Sequence, residues 1–171
     1  LAKNAKRVVA YEIDTRLKPV LEETVGEFDN VEIIFKDVMK EKLTVLEDKL
    51  GGPYVMVANL PYYVTSPIIT RFLQSDMLDS LTVMVQEVVA DRIIAKPKSK
   101  DYGVLTIICG LFGESQKVIR VGREKFYPVP NVDSAVVRIT KTENNLDKAK
   151  FLGVINLAKK AFAMRRKKLS T

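Results

Sequence analysis

The chain has 171 residues, 47% of them hydrophobic, so it can form one domain, or one domain and the start of another. It has no histidine and one cysteine, Cys109, which excludes Ser-His-Asp and Cys-His nucleophiles, histidine-based zinc sites, zinc-dependent deaminases and an internal disulfide framework. No apolar run approaches the roughly 20 residues of a membrane-spanning helix, and no signal-peptide pattern is present. We therefore expect a cytoplasmic protein without a membrane partner.

The net charge of +7 is concentrated in two segments. Residues 151–171 carry six basic side chains and no acid, whereas residues 1–150 hold 22 basic and 21 acidic side chains. Within that balanced part, the stretch 92–125 is again basic. Two basic segments on a neutral body indicate a track for a polyanion, although a solvated lysine-rich surface has the same pattern.

Strands and helices alternate in the first 95 residues. Strands are predicted at 7–13, 31–36, 54–58 and 80–86, and each is followed by a helix, at 15–25, 41–49, 66–74 and 87–95. Ser66 as N-cap and Pro67 at the first helical position predict the start of the third helix. Apolar strands separated by helices indicate a parallel sheet that is covered on both faces.

The order changes after residue 95. A helix is predicted at 102–111, with Cys109 at a buried position, then strands at 115–121 and 134–140, and a helix from 146. The two strands are typical of an antiparallel pair at the edge of the sheet. The chain does not begin with methionine, and residues 1–6 are typical of the end of a helix. We therefore expect a fragment that begins inside a domain.

The tetrapeptide Asn59-Leu60-Pro61-Tyr62 follows the third predicted strand and can hold an exocyclic amine. Such a nitrogen is a poor nucleophile because its lone pair is delocalised into the ring. The Asn59 side-chain oxygen and a backbone carbonyl in a proline-stiffened turn can accept its two N–H groups, and the Tyr62 ring can stack on the base. The four residues by themselves fit a strand and a proline turn equally well.

Acidic side chains follow the first two predicted strands. Glu12 and Asp14 end the first, where an acid commonly binds two ribose hydroxyls, and Asp37 ends the second, where it could accept from an adenine amine. For each acid alone, a helix cap or turn is the commoner role. Together with Asn59 in successive strand-to-helix loops, they favour a nucleoside pocket.

Seven collinear segments resemble one known family. Residues 57–68, Val-Ala-Asn-Leu-Pro-Tyr-Tyr-Val-Thr-Ser-Pro-Ile, are similar to the fourth motif of the ribosomal RNA adenine N6-dimethyltransferases of the KsgA/RsmA type. The other similar segments, in order, are 11–14, 36–39, 84–86 with 90–92, 101–105, 126–134 and 161–169. The resemblance covers nearly the whole chain.

This resemblance implies a Rossmann-like class I methyltransferase sheet that uses S-adenosylmethionine and no metal. It implies two successive methylations of the N6 amines of two adjacent adenines in small-subunit (16S) rRNA, with the immature small ribosomal subunit as partner. We expect a partial catalytic domain at 1–143 and the start of a helical RNA-binding domain at 144–171. The intact protein is expected to be a monomer, whereas the incomplete sheet of the fragment is open to association.

Carried over position by position, the resemblance also implies roles. Glu12 would bind the ribose of the donor, and Asp37 with the Val38 backbone would bind its adenine. Asn59, which also borders the donor, and the Leu60 carbonyl before Pro61 would hold the target amine. Tyr62 and Phe126 would pack against the target base, although Phe126 alone fits an ordinary core position equally well. The expected RNA-binding residues are Lys96, Lys98, Lys100, Arg123, Arg165, Arg166, Lys167 and Lys168.

The chain departs from the family pattern in several places. None of its eight glycines forms the G-x-G of the first family motif, which cradles the methionine part of the donor, and the family's first strand is also missing. We therefore expect the fragment to be impaired in donor binding. Val88 stands where an acid is usual, and Met164 where glutamine is usual.

Two other functions remain open at this point. Erythromycin-resistance methyltransferases, which act on large-subunit (23S) rRNA, share the superfamily, but the segments 63–67 and 165–167 favour the small-subunit family. A non-catalytic RNA-binding assembly or transcription factor on the same scaffold is the second alternative, against which the intact 59–62 motif counts. A DNA adenine methyltransferase would more often carry Asp-Pro-Pro-Tyr.

Overall fold

The computed structural model describes residues 1–143 and 147–163. The strands are Val8–Glu12 (β1), Val31–Phe35 (β2), Tyr54–Asn59 (β3), Leu78–Gln86 (β4), Gly113–Val121 (β5) and Ser134–Lys141 (β6). The α-helices are Lys18–Val25 (α1), Leu43–Leu50 (α2), Thr65–Phe72 (α3), Glu87–Ile93 (α4), Val104–Phe112 (α5) and Lys148–Ala163 (α6). Short 3-10 turns lie at Thr15–Leu17, Val38–Lys40, Tyr62–Val64 and Arg123–Lys125.

The chain divides into two compact units, Leu1–Pro53 and the residues from Tyr54 onward. In the first unit β1 and β2 pair in parallel, so their carboxyl ends lie at one edge of the sheet, with Glu12 opposite Phe35. Helix α2 ends at Gly51, whose φ of 73° is the left-handed conformation that glycine adopts without strain. The N–H of this glycine donates to the Glu47 carbonyl at 2.9 Å and closes the helix.

The second unit is built on a four-stranded sheet in the order β3-β4-β6-β5. Strands β3 and β4 are parallel, while β6 pairs antiparallel with both β4 and β5. This arrangement confirms the predicted antiparallel pair at the sheet edge, with β5 as the edge strand. The strand at the edge carries a bulge between Lys117 and Ile119, which raises its local twist.

One face of this sheet forms the core of the second unit. Leu81, Val83 and Val85 of β4 are at most 1% exposed, and alternate residues of β6 are buried in the same way. Helices α5 and α6 contribute further buried side chains, namely Ile108, Cys109, Phe112, Phe151, Ile155 and Ala158. Burial raises the pKa of the Cys109 thiol to about 12, so the thiol stays protonated and unreactive, as its predicted core position implies.

The other face of β3 is exposed, so the prediction of a sheet covered on both faces is wrong for this strand. Val55 is 62% exposed and Val57 is 49% exposed, and Asn59 lies on the same side of the strand because side chains alternate. Within the residues described, β3 has one hydrogen-bonded neighbour, β4, and β1 has one, β2. The predicted sheet is therefore present as two sheets, of two and four strands.

Most element bounds agree with the sequence prediction to within two residues, but Ser66 is not a helix cap. Helix α3 begins at Thr65 with Val64 as N-cap, because the 3-10 turn at Tyr62–Val64 runs directly into the helix. The predicted helix at 15–25 is likewise a 3-10 turn followed by α1.

Across residues 1–143 and 147–163, no helix combines the length and the apolar character that crossing a membrane requires.

Candidate active site

The two acids that end β1 have different surroundings. The Glu12 Oε1 atom accepts a hydrogen bond from the Asp14 backbone N–H at 2.7 Å, which orients the carboxylate at the end of the strand. Its second oxygen has no hydrogen-bond partner among the described residues. Asp14, in contrast, caps the following 3-10 turn and accepts three hydrogen bonds from the Arg16 guanidinium, from Nε to Oδ1 at 2.8 Å and to Oδ2 at 3.1 Å, and from Nη2 to Oδ2 at 2.6 Å. Of the two acids, Glu12 is therefore the one that keeps an acceptor for a ligand.

The Arg16 guanidinium, together with the Arg16 backbone N–H, lowers the pKa of Asp14 from 3.8 to about 2. Because the folded-state pKa is depressed, the contribution of Asp14 to stability is present above its ordinary pKa and is lost as the pH falls through about 2. We expect Arg16→Gln to raise the Asp14 midpoint in a carboxyl NMR titration, but not fully to 3.8, because the backbone N–H bond remains. Lys18→Gln, which removes an exposed partner of Glu22, is the matched control, and an unmoved midpoint in Arg16→Gln would contradict the assignment.

Asp37 and Val38 offer an acceptor and a donor side by side. Asp37 caps the turn at Val38–Lys40, and its Oδ1 atom accepts from the Met39 N–H at 2.9 Å. Its Oδ2 atom has no partner in the described part of the chain. Val38 is the first residue of the turn, where a backbone N–H precedes the internal hydrogen bonds. A carboxylate oxygen and a backbone N–H in this order could accept from the amine and donate to the adjacent ring nitrogen of an adenine.

In the second unit, Asn59 ends β3 and its side chain is exposed. The Leu60 N–H donates to the Met84 carbonyl at 3.4 Å, which continues the parallel ladder one residue beyond the strand. The Leu60 side chain is buried and anchors the turn in the core. Neither the Asn59 side chain nor the Leu60 carbonyl has a hydrogen-bond partner within residues 1–143 and 147–163. Two neighbouring acceptors are thus held on a rigid strand end and are available to a ligand.

The next carbonyl along the chain is fully used. The Pro61 oxygen accepts from the Val64 N–H at 3.1 Å and from the Thr65 hydroxyl at 3.1 Å. Thr65 is 1% exposed, so this second bond is protected from water. The turn therefore distinguishes its two carbonyls: that of Pro61 stabilises the start of α3, while that of Leu60 can accept from a bound amine.

The aromatic candidates lie at the end of the four-stranded sheet where Asn59 ends β3. Asn59 pairs with Met84 near the carboxyl end of β4, and Ser134 opens β6 beside the ends of β4 and β5. The loop 122–133 therefore leaves the sheet at the edge where Asn59 lies. The Tyr62 hydroxyl lies 3.1 Å from the Ser134 Oγ atom, and half-buried Phe126 ends the 3-10 turn of that loop.

The comparisons with known proteins agree with this geometry. The chain matches the family model of the ribosomal RNA adenine dimethylases along residues 1–171. It belongs to that family. It is 45% identical to the ribosomal RNA small subunit methyltransferase A of Bacillus licheniformis and 42% identical to that of Staphylococcus epidermidis, with 99% of this chain aligned in each case. The chain spans about 60% of the length of these curated relatives.

Solved structures confirm the predicted fold class, an α/β Rossmann-like methyltransferase sheet with an antiparallel edge pair. A dimethyladenosine transferase from Plasmodium falciparum superposes with a TM-score of 0.77 at 29% identity, over 96% of this chain and 58% of that one. The 23S rRNA methyltransferase ErmE superposes with a TM-score of 0.75 at 27% identity, over 98% of this chain and 66% of that one.

Four of the eight basic residues that were predicted to bind RNA lie in the described part of the chain. In this dimethylase-family chain, Lys96, Lys98 and Lys100 are all exposed on the loop between α4 and α5. The Ser99 N–H donates to the Lys96 carbonyl at 3.1 Å, and Lys98 has a φ of 73°, a conformation that glycine favours. Arg123 is exposed at the start of the turn that ends in Phe126. Arg165, Arg166, Lys167 and Lys168 lie outside the described residues.

Ser134 received no role from the sequence, although it lies in a segment that resembles the family. It is 1% exposed, and its hydroxyl meets Tyr62 across 72 positions of sequence. The sequence signals were its place in that segment and its position between Asp133 and the apolar strand that follows. Such a contact depends on the antiparallel pairing of β4 with β6, which local patterns do not reveal.

Proposed function

We propose that this chain is the larger part of a longer enzyme, whose length equals that of the curated relatives. We call that longer enzyme the whole protein. The whole protein transfers methyl groups from S-adenosylmethionine to the N6 amines of two adjacent adenines in small-subunit rRNA, on the immature small subunit, as a cytoplasmic monomer. The observation that carries this proposal is the pair of available acceptors, the Asn59 side chain and the Leu60 carbonyl, at the end of β3. We further propose residues 1–143 as a partial catalytic domain and 144–171 as the start of a helical RNA-binding domain.

The two acceptors hold the target amine in the orientation that reaction requires. Asn59 Oδ1 and the Leu60 carbonyl accept its two N–H groups, so that the nitrogen lone pair points away from them, toward the methyl group. S-Adenosylmethionine, when bound, supplies a methyl group on a positively charged sulfur. With the donor bound, the amine nitrogen would form the new bond to the methyl carbon as the sulfur–carbon bond breaks, and the nitrogen would then lose a proton to water. Alignment and the carbonyl dipoles that face the developing positive charge lower the barrier, so no general base is needed.

A second methylation needs only one of these two acceptors. The monomethylated amine retains a single N–H, which either Asn59 Oδ1 or the Leu60 carbonyl can accept. The pocket must also accept the first methyl group. The same strand end therefore serves both rounds of transfer, with Tyr62 and Phe126 packed against the base.

The substrate is tested by methyl transfer in vitro. The whole protein is incubated with labelled S-adenosylmethionine and with unmethylated small subunits, free small-subunit rRNA, or large-subunit rRNA, and the RNA is digested to nucleosides. We expect N6,N6-dimethyladenosine from small-subunit material. Label in large-subunit rRNA alone would assign the activity of the similar 23S rRNA methyltransferase, and RNA binding without any transfer would favour a non-catalytic factor.

The exposed lysine loop is expected to contribute to RNA affinity through phosphate contacts. Replacing Lys96, Lys98 and Lys100 by alanine should reduce the slope of log affinity against log salt by about 2 to 3, since each phosphate contact contributes about 0.7 to 0.9. The matched control replaces three exposed lysines of the first unit, Lys3, Lys6 and Lys18. If both triple variants keep the slope of the unsubstituted protein, the loop is not on the RNA path. The same titration of variants at Arg165, Arg166, Lys167 and Lys168 tests the basic tail.

A further inference from the structure

Ser134 fixes the position of the Tyr62 hydroxyl. The two oxygens are 3.1 Å apart, Ser134 is 1% exposed, and Tyr62 is 39% exposed. Ser134 pairs with Gln86 on one side and with Val121 on the other, so its backbone is held within the sheet. The tip of a partly exposed tyrosine ring is thereby held by a buried residue that is paired on both sides within the sheet.

The preceding residue, Asp133, holds the loop that carries Phe126. Its Oδ1 atom accepts from the Arg123 backbone N–H at 2.9 Å. Arg123 opens the 3-10 turn at Arg123–Lys125, and the Phe126 N–H donates back to the Arg123 carbonyl at 3.2 Å. The Asp133 carboxylate therefore sets where the turn begins, and the turn sets where the phenyl ring leaves it.

Arg120 ties this carboxylate to the neighbouring helix. Its Nη2 atom donates to Asp133 Oδ2 at 2.6 Å, and its Nε atom donates to Glu87 Oε2 at 3.0 Å. The Glu87 N–H in turn donates to the Asp133 carbonyl at 2.9 Å. Arg120 is 63% exposed at its side chain, so these ion pairs contribute little to stability. Their effect is geometric, because they join β5, the start of α4 and the entrance to β6.

We propose that the dipeptide Asp133-Ser134 is the positioning element of the target base, Ser134 acting through Tyr62 and Asp133 acting through Phe126. The proposal rests on the proposed function, since it assigns these rings to the base whose amine Asn59 holds. Both rings take their places from adjacent residues at the start of one central strand. A displacement of about 1 Å in such a contact is enough to lower the rate of an aligned transfer substantially.

A double-mutant cycle on the whole protein tests the Ser134 arm. Ser134→Ala and Tyr62→Phe each remove one hydroxyl of the same bond, and each should lower kcat by about tenfold with an unchanged KM for small-subunit RNA. The double variant should be no slower than the slower single variant, because the bond can be lost only once. Ser115→Ala is the matched control, since the buried Ser115 hydroxyl has no partner in the structure as described.

Two graded substitutions test whether Asp133 positions the base through Phe126. Asp133→Asn keeps an oxygen for the Arg123 N–H but loses the charge that faces Arg120, whereas Asp133→Ala loses both. We expect kcat to fall in the order unsubstituted, Asn, Ala, with KM for RNA unchanged. Arg138→Gln, at an exposed arginine of β6, is the control for removal of a charged side chain from the same sheet.

The outcomes separate this inference from the proposed function. If the unsubstituted protein methylates no RNA, the proposed function fails and the inference fails with it. If it methylates RNA, independent effects of Ser134→Ala and Tyr62→Phe, or losses confined to KM or to thermal stability, overturn the inference alone. Should Ser134→Ala not fold, Tyr62→Phe decides the question, and a kcat within about twofold of the unsubstituted value overturns the proposal.

Discussion

Asn59→Ala is expected to lower methyl transfer by about two to three orders of magnitude, the usual cost of removing one preorganised polar group that faces developing charge. The Asn59 side chain is exposed and has no partner among the described residues, so its removal does not disturb the turn. The Leu60 carbonyl would remain, but a single acceptor leaves the amine free to rotate. RNA affinity should change by less than about twofold, because phosphate contacts elsewhere supply most of it.

The measurement pairs single-turnover methylation with RNA binding on the whole protein. Asn4→Ala, at an exposed asparagine of the first unit, is the control for loss of an amide side chain. The expected pattern is a large loss of rate in Asn59→Ala alone, at unchanged RNA affinity. Equal losses of methylation and of RNA binding would contradict the role of Asn59 as holder of the amine.

Glu12→Gln is expected to weaken S-adenosylmethionine binding by about tenfold or more, the usual cost of a hydrogen bond to a charged group. Glutamine keeps an oxygen for the Asp14 N–H, so the turn after β1 is retained. Asp14→Asn should leave donor affinity within about twofold, since both carboxylate oxygens of Asp14 are bonded to Arg16. The two acids are separated by one residue, which makes them a matched pair.

Calorimetric titration with S-adenosylmethionine checks this prediction on the whole protein and on the present chain. The chain is expected to bind more weakly than the whole protein, because it contains no G-x-G turn to hold the methionine part. Tight binding by the chain would contradict that expectation. If Asp14→Asn weakened binding as much as Glu12→Gln, the ribose would have to be assigned to Asp14 instead.

The regular elements were largely predictable because local patterns determine them. Strands β1 to β4 were predicted from their apolar runs, and the helices between them from the pattern of the intervening segments, without reference to any partner strand. The antiparallel pair of β5 and β6 followed from two short strands joined by a loop rich in proline. The cap of α3 was predicted wrongly, since a 3-10 turn starting at Tyr62 uses the residues before Ser66 and moves the start of the helix.

Residue types and their spacing did not by themselves predict which acceptor atoms stay without a hydrogen-bond partner. The position of Glu12 and Asp14 after β1 made both candidates for the ribose; the resemblance selected Glu12, and the ion pair of Asp14 with Arg16 supplies a physical reason for that choice. The resemblance likewise assigned the target amine to the Leu60 carbonyl, and the structure adds that the Thr65 hydroxyl and the Val64 N–H occupy the carbonyl of Pro61. Each distinction depends on backbone geometry at the scale of a single hydrogen bond.

The sequence by itself determined the family, the order of the elements and the acceptor motif at residues 59–62, because these depend on residue types at fixed local spacing. Tertiary structure alone decided which acceptors remain available, which face of β3 is exposed, and that Ser134 meets Tyr62. The contact of Ser134 with Tyr62 exists because β6 enters the sheet between β4 and β5, whereas the available acceptors are set by the local hydrogen bonds that occupy Asp14 and the Pro61 carbonyl. The pairing of β6 with β4 places Ser134, the first residue of β6, beside Tyr62 across 72 positions, and long-range pairing of strands leaves no local signature in a chain.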